Sequence, residues 1–134
     1  MKVFPLITLL LFTGTSLFSQ NLVGFREKEI KKYMQENRKD MNIDNTKNSK
    51  FRYLKYSDNL DNQTILFFLK RNSVCYSERM ICDFSVKDEK LKEFDKLYRK
   101  TGENSWTDSH DGKDYIITIK ERQWSFIVTI EPGK

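Results

Sequence analysis

Thr64-Ile65-Leu66-Phe67-Phe68-Leu69, the turn residues Arg71-Asn72-Ser73, and then Val74-Cys75-Tyr76-Ser77-Glu78-Arg79-Met80-Ile81-Cys82-Asp83-Phe84 form the stretch on which the fold is decided. The first run is continuously apolar and too short for a buried helix, so it reads as a central strand. The polar residues after it turn the chain, and Val74 to Phe84 returns as the next strand. Such a hairpin pairs antiparallel, which sets the sheet type.

Working outward, Phe51-Arg52-Tyr53-Leu54-Lys55-Tyr56 is a strand by aromatic content, joined to the central run by turn chemistry at Asp58-Asn59-Leu60-Asp61-Asn62. Upstream, Phe25 to Lys39 places Ile30, Tyr33 and Met34 on one helical face, and Asp40 to Lys50 reads as an exposed polar loop. Downstream, Ser85 is the expected cap of a second helix, with Asp88 and Glu89 near its positive end. Leu91, Phe94, Leu97 and Tyr98 recur at helical spacing, and Lys96, Arg99, Lys100 and Gly102 are expected to close the helix. Strands follow from Ser105, over Tyr115 to Lys120 and over Trp124 to Ile130, with Asp111-Gly112 as a hairpin signal. The expected order is helix, three strands, helix, three strands. This is an α+β fold in which an antiparallel sheet is covered on one face by two helices, with a possible tandem repeat. The ordering is similar to that of secreted protein inhibitors built from repeated helix-plus-antiparallel-sheet units, such as the β-lactamase inhibitor proteins. The resemblance lies in element order and assigns no residue a role.

The chain begins with a leader-like segment. Met1-Lys2 precedes an apolar stretch from Val3 to Phe12, and small polar residues run on to Ser19. Residues 1–19 read as a secretory signal peptide, and residues 20–134 as a single secreted or periplasmic domain. Leu17 departs from the small-x-small cleavage pattern, so cuts after Ser16 or Gln20 also stay open. The apolar stretch is shorter than the ~20 residues a membrane span requires, which argues against an anchor.

Composition narrows the function. The full chain has 134 residues and a net charge of +5. Ten basic and five acidic residues fall between Arg26 and Lys55. That window reads as a solvated helix face with i,i+4 pairs such as Glu27–Lys31. No nucleic-acid-binding module accompanies it, so no nucleic-acid partner is expected. Cys75 and Cys82, on opposite faces of one strand and roughly 23 Å apart at ~3.3 Å per residue, are expected as buried free thiols; a bridge requires a tight turn between them.

Catalytic sets are hard to assemble. His110 is the one histidine, and the Asp108–Asp114 segment around it lacks EF-hand spacing and fits a hairpin tip. Glu78 is read by alternation onto one strand face with Val74, Tyr76, Met80, Cys82 and Phe84. It is a carboxylate with a raised pKa, one turned outward by a bulge near Ser77–Arg79, or one paired with Arg79 or another base. No cofactor or metal is expected. A binding domain for another exported or surface protein, of inhibitor or immunity type, is the leading expectation. Its candidate surface is Tyr53, Tyr56, Trp106, Trp124, Arg52 and Lys55, because tyrosine, tryptophan and arginine dominate binding hot spots. The alternatives are a small exported hydrolase using acidic residues and a carrier with an aromatic pocket. N-terminal sequencing of the exported chain is expected to read Gln20 first; a chain that keeps Met1 rejects the leader assignment.

Overall fold

The computed structural model describes residues 21–45, 50–60 and 62–133. The signal-peptide assignment over residues 1–19 lies outside the described residues. The elements are α1 (Glu27–Asn37), β1 (Met41–Asp44), β2 (Tyr53–Asp58), β3 (Gln63–Leu69), β4 (Cys75–Asp83), α2 (Lys87–Leu97), β5 (Arg99–Gly102), β6 (Ser105–His110), β7 (Lys113–Glu121) and β8 (Ser125–Pro132). All eight strands join one antiparallel sheet in the order β1-β2-β3-β4-β8-β7-β6-β5. No helix among the described residues is long and apolar enough to cross a membrane.

The expected three strands after each helix are four. β1 lies inside the stretch read as a polar loop, and β5 lies where the end of the second helix was expected. Both are outermost strands of the sheet. An edge strand satisfies one ladder and keeps its other side in water, so β5 does without the apolar pattern of an inner strand; β1 alternates, with Met41 in the core, but over only four residues set among polar ones. The second helix ends at Leu97, and Tyr98 is already extended at φ −127°, ψ 163°. Gly102 therefore belongs to β5 rather than closing a helix. The expected cap also shifts. Asp83, not Ser85, accepts the first free amide, that of Ser85, at 2.9 Å, and a 3₁₀ turn over Phe84–Val86 leads into α2.

Other local expectations hold. Asp111 and Gly112 adopt φ of 54° and 73° between the paired residues His110 and Lys113, the backbone of a two-residue type I′ hairpin. Lys31 and Glu27 pair at 3.2 Å across one turn of α1.

Alternation selects the core. Leu54 and Tyr56, Ile65, Phe67 and Leu69, Ile117 and Ile119, and Phe126, Val128 and Ile130 are buried, and Ile30, Met34 and Phe94 of the helices belong to the same cluster. Trp106 is 0 % exposed. Its indole nitrogen donates to Asp95 of α2 at 2.9 Å, and its ring meets Phe94 edge-on at 5.4 Å. This contact fastens α2 to β6.

One irregularity redirects β4. Phe68 pairs with Ser77 but Leu69 pairs with Cys75, so Tyr76 is an extra residue on β4. This bulge lies one step before the position considered from sequence, and it keeps Glu78 inward with Met80 and Cys82 while turning Tyr76 outward. It also brings Cys75 to the buried side with Cys82, correcting the placement of the two thiols on opposite faces. Both are buried and free.

Trp106→Ala is expected to lower unfolding free energy by about 3–5 kcal/mol in urea titration. Trp124→Ala, at a side chain 77 % exposed, should stay within about 0.5 kcal/mol of the parent.

Candidate functional site

Two places in the fold hold chemistry beyond packing. The first is enclosed. Glu78 is 1 % exposed, its Oε1 accepts the Leu22 amide at 3.1 Å, and its Oε2 has no hydrogen-bond partner among the described residues. Burial pushes its carboxyl up to about 7, and the Leu22 hydrogen bond, then Lys90 and Arg38, offset part of that rise. Its influence spreads. Burial and then the Glu78 charge push the Cys75 thiol up to about 12, and the same two causes lead in raising the Tyr98 phenol. The segment over Glu78 is tied down: Asn21 donates to Asp108 at 3.1 Å, Val23 N–H donates to Asn21 at 3.0 Å, and Gly24 N–H to the Cys75 carbonyl at 2.8 Å.

This arrangement holds a proton but does not present it. A general acid or base must come within hydrogen-bond reach of substrate, and Leu22 covers the bonded oxygen of Glu78. The thiols are protonated and enclosed, the opposite of a reactive cysteine. His110 stacks on Tyr115 with ring centroids 5.0 Å apart and lies 3.5 Å from Asp111 at the hairpin. Among the described residues no three His, Cys, Asp or Glu side chains converge as a metal set.

The second place is open. On the sheet face opposite the core, Tyr53 and Phe68 meet edge-on at 6.0 Å, Phe51 and Phe68 at 6.5 Å, and Phe68 and Tyr76 lie tilted at 6.3 Å. Arg79 sits over the Phe68 ring at 5.6 Å. Phe51 is 57 % and Tyr76 39 % exposed, and Ile81 and Ile116 also reach solvent on this face. The aromatic group borders an open groove of about 680 Å³, with Lys70 and Glu131 on its rim.

The surface expected from sequence divides between the two faces. Tyr53 and Lys55 are half-buried on the open face, where Lys55 pairs with Asp44 at 3.5 Å. Arg52 is at its border, held by Glu27 at 2.7 Å and by the carbonyls of Lys70 and Arg71. Tyr56 and Trp106 are core residues, not surface ones, because strand alternation puts Tyr56 with Leu54 and because Trp106 is taken by α2. Trp124 is exposed in the turn between β7 and β8, and it does not border the groove. Phe51, Phe68, Tyr76 and Arg79 were missed. For Phe68 and Arg79 the signal was alternation, counted against the apolar residues of the facing strand; for Tyr76 the bulge removed it.

Comparison with protein-family models, curated proteins and solved structures gives no match to this chain.

A carboxyl whose folded pKa stands above its unfolded value stabilises the fold below that unfolded value. That stability is lost as pH rises through the folded pKa. For Glu78 the window runs from about 4.5 to about 7. Urea unfolding is therefore expected to show the chain less stable at pH 8 than at pH 4.5, by about 3 kcal/mol at 1.36 kcal/mol per unit. Glu93, also raised by burial, acts in the same direction. Glu78→Gln should flatten most of the slope, and a parent profile that is flat or rises over this range rejects the assignment.

Proposed function

We propose that the chain is an exported, non-enzymatic binding domain that engages another exported or surface protein through the open sheet face. In this reading residues 1–19 are removed on export. The remainder is two helix-plus-meander units, repeated in tandem, whose helices lie together over one face of the common sheet and leave the other for a partner. Antagonism of the partner, as by an inhibitor or an immunity protein, is the concrete form of the activity.

The observation that carries the reading is the aromatic group of Phe51, Tyr53, Phe68 and Tyr76 at the solvent face of β2, β3 and β4. Large apolar side chains clustered at a surface have a hydrophobic cost that a partner relieves, and tyrosine and arginine are the residues enriched at such anchors. The rings pack edge-on and tilted against one another, so they present edges and mixed surfaces rather than one flat platform. That favours the irregular side chains of a protein over a stacked planar or sugar ligand. Among the described residues the carboxylate most altered by its environment, Glu78, lies on the enclosed side, which supports a binding role over a hydrolytic one.

A photo-crosslinking residue placed at Tyr76 or Phe51 is expected to give a discrete adduct with an exported protein in the source cell. The same residue at Lys32, exposed on α1, should give none. Combining Tyr76→Ser with Phe51→Ser should weaken capture at least about tenfold with the melting temperature unchanged. Adducts that form equally from both sides reject the open face as the docking surface.

A further inference from the structure

Resting on that reading, we infer that Arg79 is the anchor of the open face and that the partner segment it accepts is acidic, an aspartate or glutamate flanked by apolar side chains. Arg79 is exposed at the outward side of β4, a central strand of the sheet. Its guanidinium lies over the Phe68 ring, and among the described residues no carboxylate pairs with it and no hydrogen bond takes its donors. A guanidinium whose contact is with a ring face leaves N–H donors for another partner. Those groups match a carboxylate two at a time.

The neighbouring cations are occupied differently. Arg52 is held by Glu27 and two carbonyls, and Lys55 by Asp44. Arg79 thus remains as the planar donor at the middle of an apolar surface, where displacement of water strengthens a charge-assisted bond. Lys70 on the same groove adds a second positive charge with no carboxylate partner among the described residues, where Glu131 is the single acidic residue lining the groove. Local charge therefore complements an anionic segment, and Phe51, Phe68 and Tyr76 supply contact for the apolar residues on either side of it.

The test is selection from a displayed library of random peptide loops against the purified full chain. Binders are kept if they fail to bind the Phe51→Ser, Tyr76→Ser double variant, and each is then measured on Arg79→Met and Arg79→Lys. Circular dichroism and melting temperature confirm that each variant folds. The expected result is enrichment of Asp or Glu beside aromatic or aliphatic residues, with affinity reduced at least about tenfold on Arg79→Met, partly kept on Arg79→Lys, and falling with added salt. Face-dependent binders that lack acidic residues, or that bind Arg79→Met as well as the parent, overturn the role of Arg79 and leave the open face as a docking surface. A library whose binders ignore the double variant overturns the docking surface and the Arg79 anchor together.

Discussion

The antiparallel pairing of β4 with β8, from Glu78 opposite Ile130 to Asp83 opposite Ser125, is the contact on which the rest depends. Each strand is the last of its half of the chain, and without the other it would be an edge carrying a row of unmet amides and carbonyls. Together they turn two four-strand meanders into one sheet whose outermost strands, among the described residues, are the short β1 and β5. The pair is also where inside and outside are assigned. Met80, Cys82, Phe126 and Val128 point to the core, while Arg79, Ile81, Ile127 and Thr129 point away from it. A slip of one residue here would exchange these sets across the sheet. The core residues of the outer strands lie on the same side, so their register follows from this one.

The bulge at Tyr76 belongs to the same constraint. An added residue in β4 lets the chain leave the Phe68–Ser77 pairing and re-enter at Leu69–Cys75, with Tyr76 and Ser77 both on the open face and Cys75 returned to the core. The consequence is a concentration of unlike demands at one site. Glu78 is driven into the core, and an aromatic ring is driven out beside Arg79. The buried carboxylate is costly when charged, and its environment relieves that cost incompletely: one oxygen has the Leu22 amide and the other has no partner. The same tolerance extends to α2, where Lys90 and Glu93 pair at 3.4 Å while both are largely enclosed and one Glu93 oxygen is unpartnered. Buried ion pairs of this kind contribute little net stability compared with apolar packing. The apolar clusters on the sheet and the Trp106–Phe94 contact therefore carry the fold.

How far the sequence could be read follows from where each signal is local. The apolar run of β3, the Asp111-Gly112 turn and the 3.6-residue spacing in both helices are decided within a few residues of chain, and each was legible. β1 and β5 were not. β1 is four residues long, and its Met41 and Ile43 stand among Asp40, Asn42, Asp44 and Asn45, so its alternation is too brief to stand out from a loop; β5 is polar and exposed throughout, as an edge strand with one side in water allows, and it looks like a helix end. The open-face group was only partly legible. Tyr53 and Leu54 plainly point to opposite sides, but which side is the core depends on Phe68 and Phe67 opposite them, a pairing set by long-range register. Trp106 illustrates the same limit from the other direction: a tryptophan is equally at home in a hot spot or a core, and its burial here follows from Asp95 of α2, eleven residues upstream and folded back against it.

A sheet with one face in the core need not keep an apolar group on the other. Antiparallel sheets commonly alternate apolar-in and polar-out, and much of this one does, with Thr64, Thr118, Lys120 and Thr129 outward. Phe51, Phe68 and Tyr76 break that alternation at one end of the sheet, in mutual contact and under a guanidinium. Core packing does not require them there, because Phe67, Tyr56 and Leu69 already fill the inner side of the same strands. Their placement costs solvation without adding to the core.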